Sequence, residues 1–286
     1  MQCIKNQVLA PLQLAQKPIV YDTYYKNNGK AKPVVIFCHG YKGFKDWGPW
    51  HLVAAAFAQA GFFFLKFNFS HNGGTVNQPI DFPDLEAFAQ NNYSLELDDV
   101  DRVLDFICAD SRYKSQIDIS KINLIGHSRG GGIVLIKAQE DSRVNKVVTW
   151  AGVSDYKVRF QENTQGFLDF KKQGVYYVQN ARTKQQMPHY WQFYTNFIEN
   201  QKRLTIQRAA QELQKPLLII HGEKDTTVGM QEAQNLHNWC NTSELFIAPE
   251  ANHVFNGKHP YPQTSMPAIL NAVVAKTALF LSQRFN

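Results

Sequence analysis

The chain has 286 residues, with 30 Lys and Arg against 24 Asp and Glu, a formal net charge of +6. Apolar residues make up 44% and charged residues 19%, a globular composition that excludes a disordered or fibrous chain. No run of Lys and Arg exceeds two and no recognition motif is visible, which speaks against nucleic acid as a partner.

The N-terminal residues up to Tyr25 read as an antiparallel edge hairpin. From there, short β-branched or aromatic runs alternate with amphipathic stretches. The runs 34–38, 62–67, 122–125, 146–150, 217–220 and 244–248 predict strands, and several are apolar almost throughout, as expected of strands covered on both faces. Helical periodicity falls at about 50–60, 94–109, 129–139, 229–239 and 265–284. Strand and helix alternating in this way imply an α/β fold with a mostly parallel sheet and right-handed crossovers.

One interval breaks the rhythm: no strand is read between Asp155 and Arg208, far beyond an ordinary crossover. The spacing predicts a helical cap, 155–210, inserted after the strand ending at Trp150 into a core domain made of 1–154 and 211–286. The insertion holds 11 aromatics among 56 residues, and nine Lys and Arg against four Asp and Glu. That surplus places most of the chain's net positive charge in the insertion.

The cysteines Cys3, Cys38, Cys108 and Cys240 are scattered without C-x-x-C and read as free thiols in a reducing compartment. The opening M-Q-C-I-K-N-Q-V-L-A-P lacks the apolar region of a signal peptide, and no apolar run approaches the ~18 residues of a membrane helix. A cytoplasmic protein with no membrane partner is expected.

Chemistry concentrates in I-N-L-I-G-H-S-R-G-G-G, residues 122–132, where an apolar strand runs into Gly126-His127-Ser128-Arg129-Gly130 and a helical pattern follows. A serine on a sharp strand-to-helix turn is thrust above the sheet, and glycines two before and two after leave room for neighbouring backbone. The hydroxyl needs an imidazole to take its proton, and the imidazole needs an orienting acid. Asp225 and His253 each follow a predicted strand, where α/β sheets place their sites. The order Ser128, Asp225, His253 fits a nucleophile, acid and base. Asp155 and Glu223 are alternative acids. His39, His127 and His221 show no H-E-x-x-H or comparable spacing, so no metal is expected. Oxyanion donors are expected from the amides of Arg129 and of Tyr41, in His39-Gly40-Tyr41-Lys42-Gly43. Because the amide matters there, Tyr41→Ala should be mild unless its side chain meets substrate.

At these residues the chain resembles the α/β-hydrolase superfamily over essentially its whole length. H-G-Y-K-G-F-K-D-W, F-N-F-S-H-N-G and G-H-S-R-G-G are similar to the dienelactone-hydrolase-like branch, which includes feruloyl-type carboxylesterases. The resemblance implies an α/β-hydrolase fold with a sheet of about eight strands flanked by helices. It implies Ser128 as nucleophile, His253 as base, Asp225 as acid, the Tyr41 and Arg129 amides as oxyanion hole, and no cofactor. Dienelactone hydrolase proper uses a cysteine nucleophile, so Ser128 points to the esterase-like members and a small-molecule ester substrate. Two alternatives stand beside the esterase. One is a peptidase or amidase of prolyl-oligopeptidase-like type, although no propeller fits in the about 30 residues before the first core strand. The other is a non-catalytic ligand-binding protein on the same fold.

Overall fold

The computed structural model describes residues 1–14 and 16–283. It begins with β1 (Gln2–Leu9), β2 (Ile19–Tyr25), β3 (Lys32–Cys38), α1 (Trp50–Gln59) and β4 (Phe63–Phe67). Next come α2 (Leu85–Gln90), α3 (Tyr93–Ala109), β5 (Ile117–His127), α4 (Arg129–Glu140) and β6 (Val144–Trp150). After the interval discussed below follow β9 (Leu217–Gly222), α9 (Met230–Trp239), β10 (Ser243–Ala248) and α10 (Ala268–Ser282).

These strands form one eight-stranded sheet in the order β1-β2-β4-β3-β5-β6-β9-β10. The β1–β2 and β2–β4 joints are antiparallel and the others parallel. Alternation along the central strands divides the core into two layers. Val34, Ile36 and Cys38 of β3 pack under α3 and α4, whereas Val35 and Phe37 pack under α1 and α10 with Trp50, Phe57, Leu270 and Val273. The fold is therefore the predicted α/β sandwich, with β5 extending well beyond its apolar centre at 122–125.

The insertion after β6 is not free of strands. It holds α5 (Gln165–Gln173), β7 (Val175–Gln179), β8 (Gln186–Tyr190), α6 (Gln192–Glu199), α7 (Gln201–Leu204) and α8 (Ile206–Glu212). β7 and β8 form a separate antiparallel hairpin with Val175 opposite Tyr190 and Gln179 opposite Gln186. Gly174, at φ +76°, ends α5, and the β-branched and aromatic run Val175-Tyr176-Tyr177-Val178 then extends. At the far end, Ile206, Ala209 and Ala210 of α8 join the core layer beneath α4.

Under the β3–α1 loop lies a buried ionic quartet. Lys45 and Lys66 reach the two oxygens of Asp22 at 2.8 and 2.7 Å, and both also bind Asp46. The side chains of Lys45, Lys66 and Asp22 are 0% exposed. Burial pushes the Asp46 carboxyl up, but the two ammonium groups outweigh it and hold it well below the usual carboxylate range. Asn6, at an irregularity in β1, adds a bond from Lys45 Nζ at 2.7 Å. The Lys45 amide donates to Asn68 Oδ1 at 2.6 Å, so the loops after β3 and β4 are tied together.

Candidate active site

The turn between β5 and α4 has the geometry the glycine spacing predicts. Ser128 sits at φ +57° and ψ −119°, a strained conformation for a residue with a side chain. A Cβ on Gly126 would lie 2.1 Å from the Gly130 carbonyl oxygen, and one on Gly130 would lie 2.6 Å from the carbonyl oxygens of Cys38 and His39. The first glycine lets the elbow close, and the second lets β3 pass against it. The Ser128 amide donates to Trp150 O at 2.9 Å, and the Ser128 carbonyl accepts from Gly131 and Val153, which fixes the turn from three sides.

Residues 28 apart in the chain meet beside it. His253 Nδ1 lies 2.7 Å from Asp225 Oδ2, while Asp225 Oδ1 accepts from the amides of Thr227 and Val228 at 2.8 and 2.9 Å. Burial pushes the Asp225 carboxyl up, but the bonds from His253 and these amides prevail and hold it below its ordinary value. Ser128 and His253 line the same cleft of about 480 Å³. His127 donates through Nε2 to the His253 carbonyl at 2.9 Å, and its ring lies 4.9 Å from the His253 ring. Burial and the neighbouring imidazole hold His127 at about 3, so it is neutral scaffolding. Of the alternative acids, Asp155 accepts from the Lys157 amide and Glu223 from the Glu250 amide; neither bonds to His253. His221 bonds the Val228 carbonyl at 2.8 Å, bracing the loop that carries Asp225.

The expected oxyanion residues also converge. A Cβ on Gly40 would meet Ser128 Cβ at 2.8 Å, so the β3–α1 loop runs tight against the serine. Among the described residues the Tyr41 amide has no acceptor, and the Arg129 amide is the first of α4, in the turn whose N–H groups have no intrahelical partner. Their side chains face elsewhere. Tyr41 Oη is 2.7 Å from His189 Nε2 on β8, and the Arg129 guanidinium stacks 4.4 Å from the Tyr41 ring while pairing with Glu96 at 3.2 Å. The Tyr41 side chain thus has a packing partner of its own, beside the role expected of its amide. That side chain fastens the inserted hairpin to the loop beside Ser128.

A family model described as alpha/beta hydrolase fold matches residues 33–204, more than half of the chain. The chain belongs to this family. Among curated proteins, "Uncharacterized peptidase YtmA" from Bacillus subtilis is 30% identical over 114 residues. That match spans 40% of this chain and 38% of the relative's length. Among solved structures, Est1E from Butyrivibrio proteoclasticus superposes with a TM-score of 0.69 at 15% identity, covering 96% of this chain and 97% of that one. Dienelactone hydrolase from Anabaena variabilis gives 0.61 at 18% identity, covering 96% of each chain. Likeness at these identities concerns the fold, which agrees with the hydrolase sheet over nearly its whole length.

Outside 39–43 and 126–130, only Trp47 of the remaining cleft lining lies in a motif singled out in the sequence, and the motif assigns it no role. Trp47, Trp50, Thr227 and His259 come from the core, and Asn180 and Arg182 from the β7–β8 turn. They are brought together by the insertion folding back over the sheet, which no local spacing reveals.

Proposed function

We propose that this α/β-hydrolase cleaves carboxylic esters, with Ser128 as nucleophile, His253 as general base and Asp225 as its orienting acid. The observation that carries the reading is the His253–Asp225 bond of 2.7 Å at the wall of the cleft that also exposes Ser128. His253 Nδ1–H donates to the carboxylate, which leaves Nε2 unprotonated and able to take the Ser128 proton as the hydroxyl attacks the ester carbonyl. The developing oxyanion is met by the amides of Tyr41 and Arg129, and the N-terminus of α4 favours the same charge. His253 returns the proton to the leaving alcohol. It then activates water to release the acyl group from Ser128. None of these steps calls on a cofactor. A structure of Est1E with ferulic acid bound supports including aromatic esters among the substrates to be tried.

The test is labelling by a fluorophosphonate together with turnover of p-nitrophenyl, acetyl and feruloyl esters. Both should be lost in Ser128→Ala. Retention of turnover in that variant would refute the assignment. The sequence match to a protein named as a peptidase favours one second reading, amide hydrolysis by the same residues. Matched esters and aminoacyl amides discriminate, since the amide reading requires amide turnover within reach of the ester rate.

A further inference from the structure

The cleft holding Ser128 and His253 is electrostatically one-sided. Lys42, Arg182 and His259 line it, and among the described residues no Asp or Glu side chain does. Arg182 is paired with Asp81. Lys42 is different: among the described residues its ammonium has neither a carboxylate partner nor a hydrogen bond, and it lies 5.2 Å from the centroid of the Tyr41 ring. Burial makes its charged form less favourable than in water. A partly desolvated cation without a counter-ion gains from an arriving anion.

A second donor lines the same cleft. His259 Nδ1 accepts from the Gly48 amide at 2.9 Å, so in the neutral ring the proton resides on Nε2. Trp47 stacks on this imidazole with 6.0 Å between centroids, and Trp50 lines the same cleft, giving an apolar wall beside the donors. Arg182 apart, the surplus charge of the insertion is not the source of this polarity. Arg159, Arg203 and Arg208 are occupied by Glu232, Glu140 and Glu212, and the five lysines of the insertion are exposed.

We infer that Lys42 is the counter-ion for a carboxylate carried by the substrate, with His259 Nε2–H as a second donor, so that the preferred ester is anionic. This rests on the hydrolytic reading of the same cleft and names its substrate class.

Two matched pairs test it. Mono-p-nitrophenyl glutarate against p-nitrophenyl pentanoate places the anion on the acyl side; 4-acetoxyphenylacetate against 4-methylphenyl acetate places it on the alcohol side. The anionic member of at least one pair should win in kcat/KM by about tenfold at low ionic strength, and the gap should close as salt rises. Lys42→Met should bring the ratio to about one. The readout is a ratio within one protein, so a general loss of activity cancels. Ratios near one in both pairs, or a ratio that survives Lys42→Met, overturn the inference, and cleavage of the neutral esters then leaves the hydrolytic reading standing. If no ester is cleaved, calorimetric titration with glutarate decides alone. Binding weakened by Lys42→Met supports the anion site, and no binding at millimolar glutarate overturns it.

Discussion

Asp225→Asn separates charge from shape at the candidate site. The Asp225 side chain accepts two amide bonds at Oδ1 and one imidazole bond at Oδ2. An asparagine amide has one oxygen to offer these three donors. With Nδ2 turned toward Thr227 and Val228, both backbone N–H groups lose their acceptor, at about 1–3 kcal/mol each. The amide therefore keeps its oxygen on the loop and presents Nδ2 to His253 Nδ1. That nitrogen must now accept, so the imidazole proton moves to Nε2, the atom that has to take the proton of Ser128. The expected result is a loss of about 10⁴ in kcat, or about 5.5 kcal/mol in the barrier, with little change in melting temperature because the loop bonds persist. Steady-state kinetics on a p-nitrophenyl ester beside a thermal melt provides the assay. A kcat within tenfold of wild type would refute the reasoning, since it would mean that the carboxylate does not set the tautomer.

Gly126→Ala places a Cβ 2.1 Å from the Gly130 oxygen, so the elbow must open by about 1 Å. This should cost about 1–3 kcal/mol of stability and on the order of 10²-fold in activity, and a melt and turnover both at wild-type level would contradict it. Tyr41→Phe removes the bond to His189, whose Nδ1 already lacks a partner. The ring is then left without any hydrogen bond, and denaturant unfolding should show a loss of about 1–3 kcal/mol; an unchanged midpoint would mean the bond carries nothing. Burial holds the imidazoles of His39 and His71 at about 4 and of His127 and His189 at about 3, against an ordinary 6.5. All four are depressed, so the unfolded chain takes up protons that the folded chain resists. Their contribution is full above about pH 6.5 and falls as the pH drops toward 4, by up to about 1.4 kcal/mol per histidine per pH step. Urea midpoints at about pH 7 and pH 5 measure this, and equal midpoints would refute it.

The parts legible in the sequence were those whose cause is local. A strand covered on both faces has to be apolar throughout, which exposed the central strands; the elbow has to have glycines at 126 and 130, because backbone atoms stand where a Cβ would go. The β7–β8 hairpin escaped because its second strand contains Pro188, which ordinarily argues against a strand, and because its turn, Asn180-Ala181-Arg182-Thr183-Lys184-Gln185, has no glycine. The contact of Tyr41 with His189 spans 148 residues and depends on how the insertion lies over the sheet. Lys42 lies in the segment expected to carry the oxyanion amide, but that expectation gives its side chain no role. Only the folded chain shows that, among the described residues, it has no carboxylate partner and that no Asp or Glu lines its cleft.

The quartet of Asp22, Lys45, Asp46 and Lys66 constrains how this sequence can drift. Its charges sum to zero, with three of the four side chains out of reach of water. Replacing any one of them strands its partners at a cost of about 3–5 kcal/mol, whereas exchanging all four for apolar side chains of similar volume is about neutral or favourable. The stable alternatives are thus separated by variants that scarcely fold. A lineage should inherit or discard the set whole, and a relative with leucine where Lys66 stands is expected to be apolar at the other three positions as well.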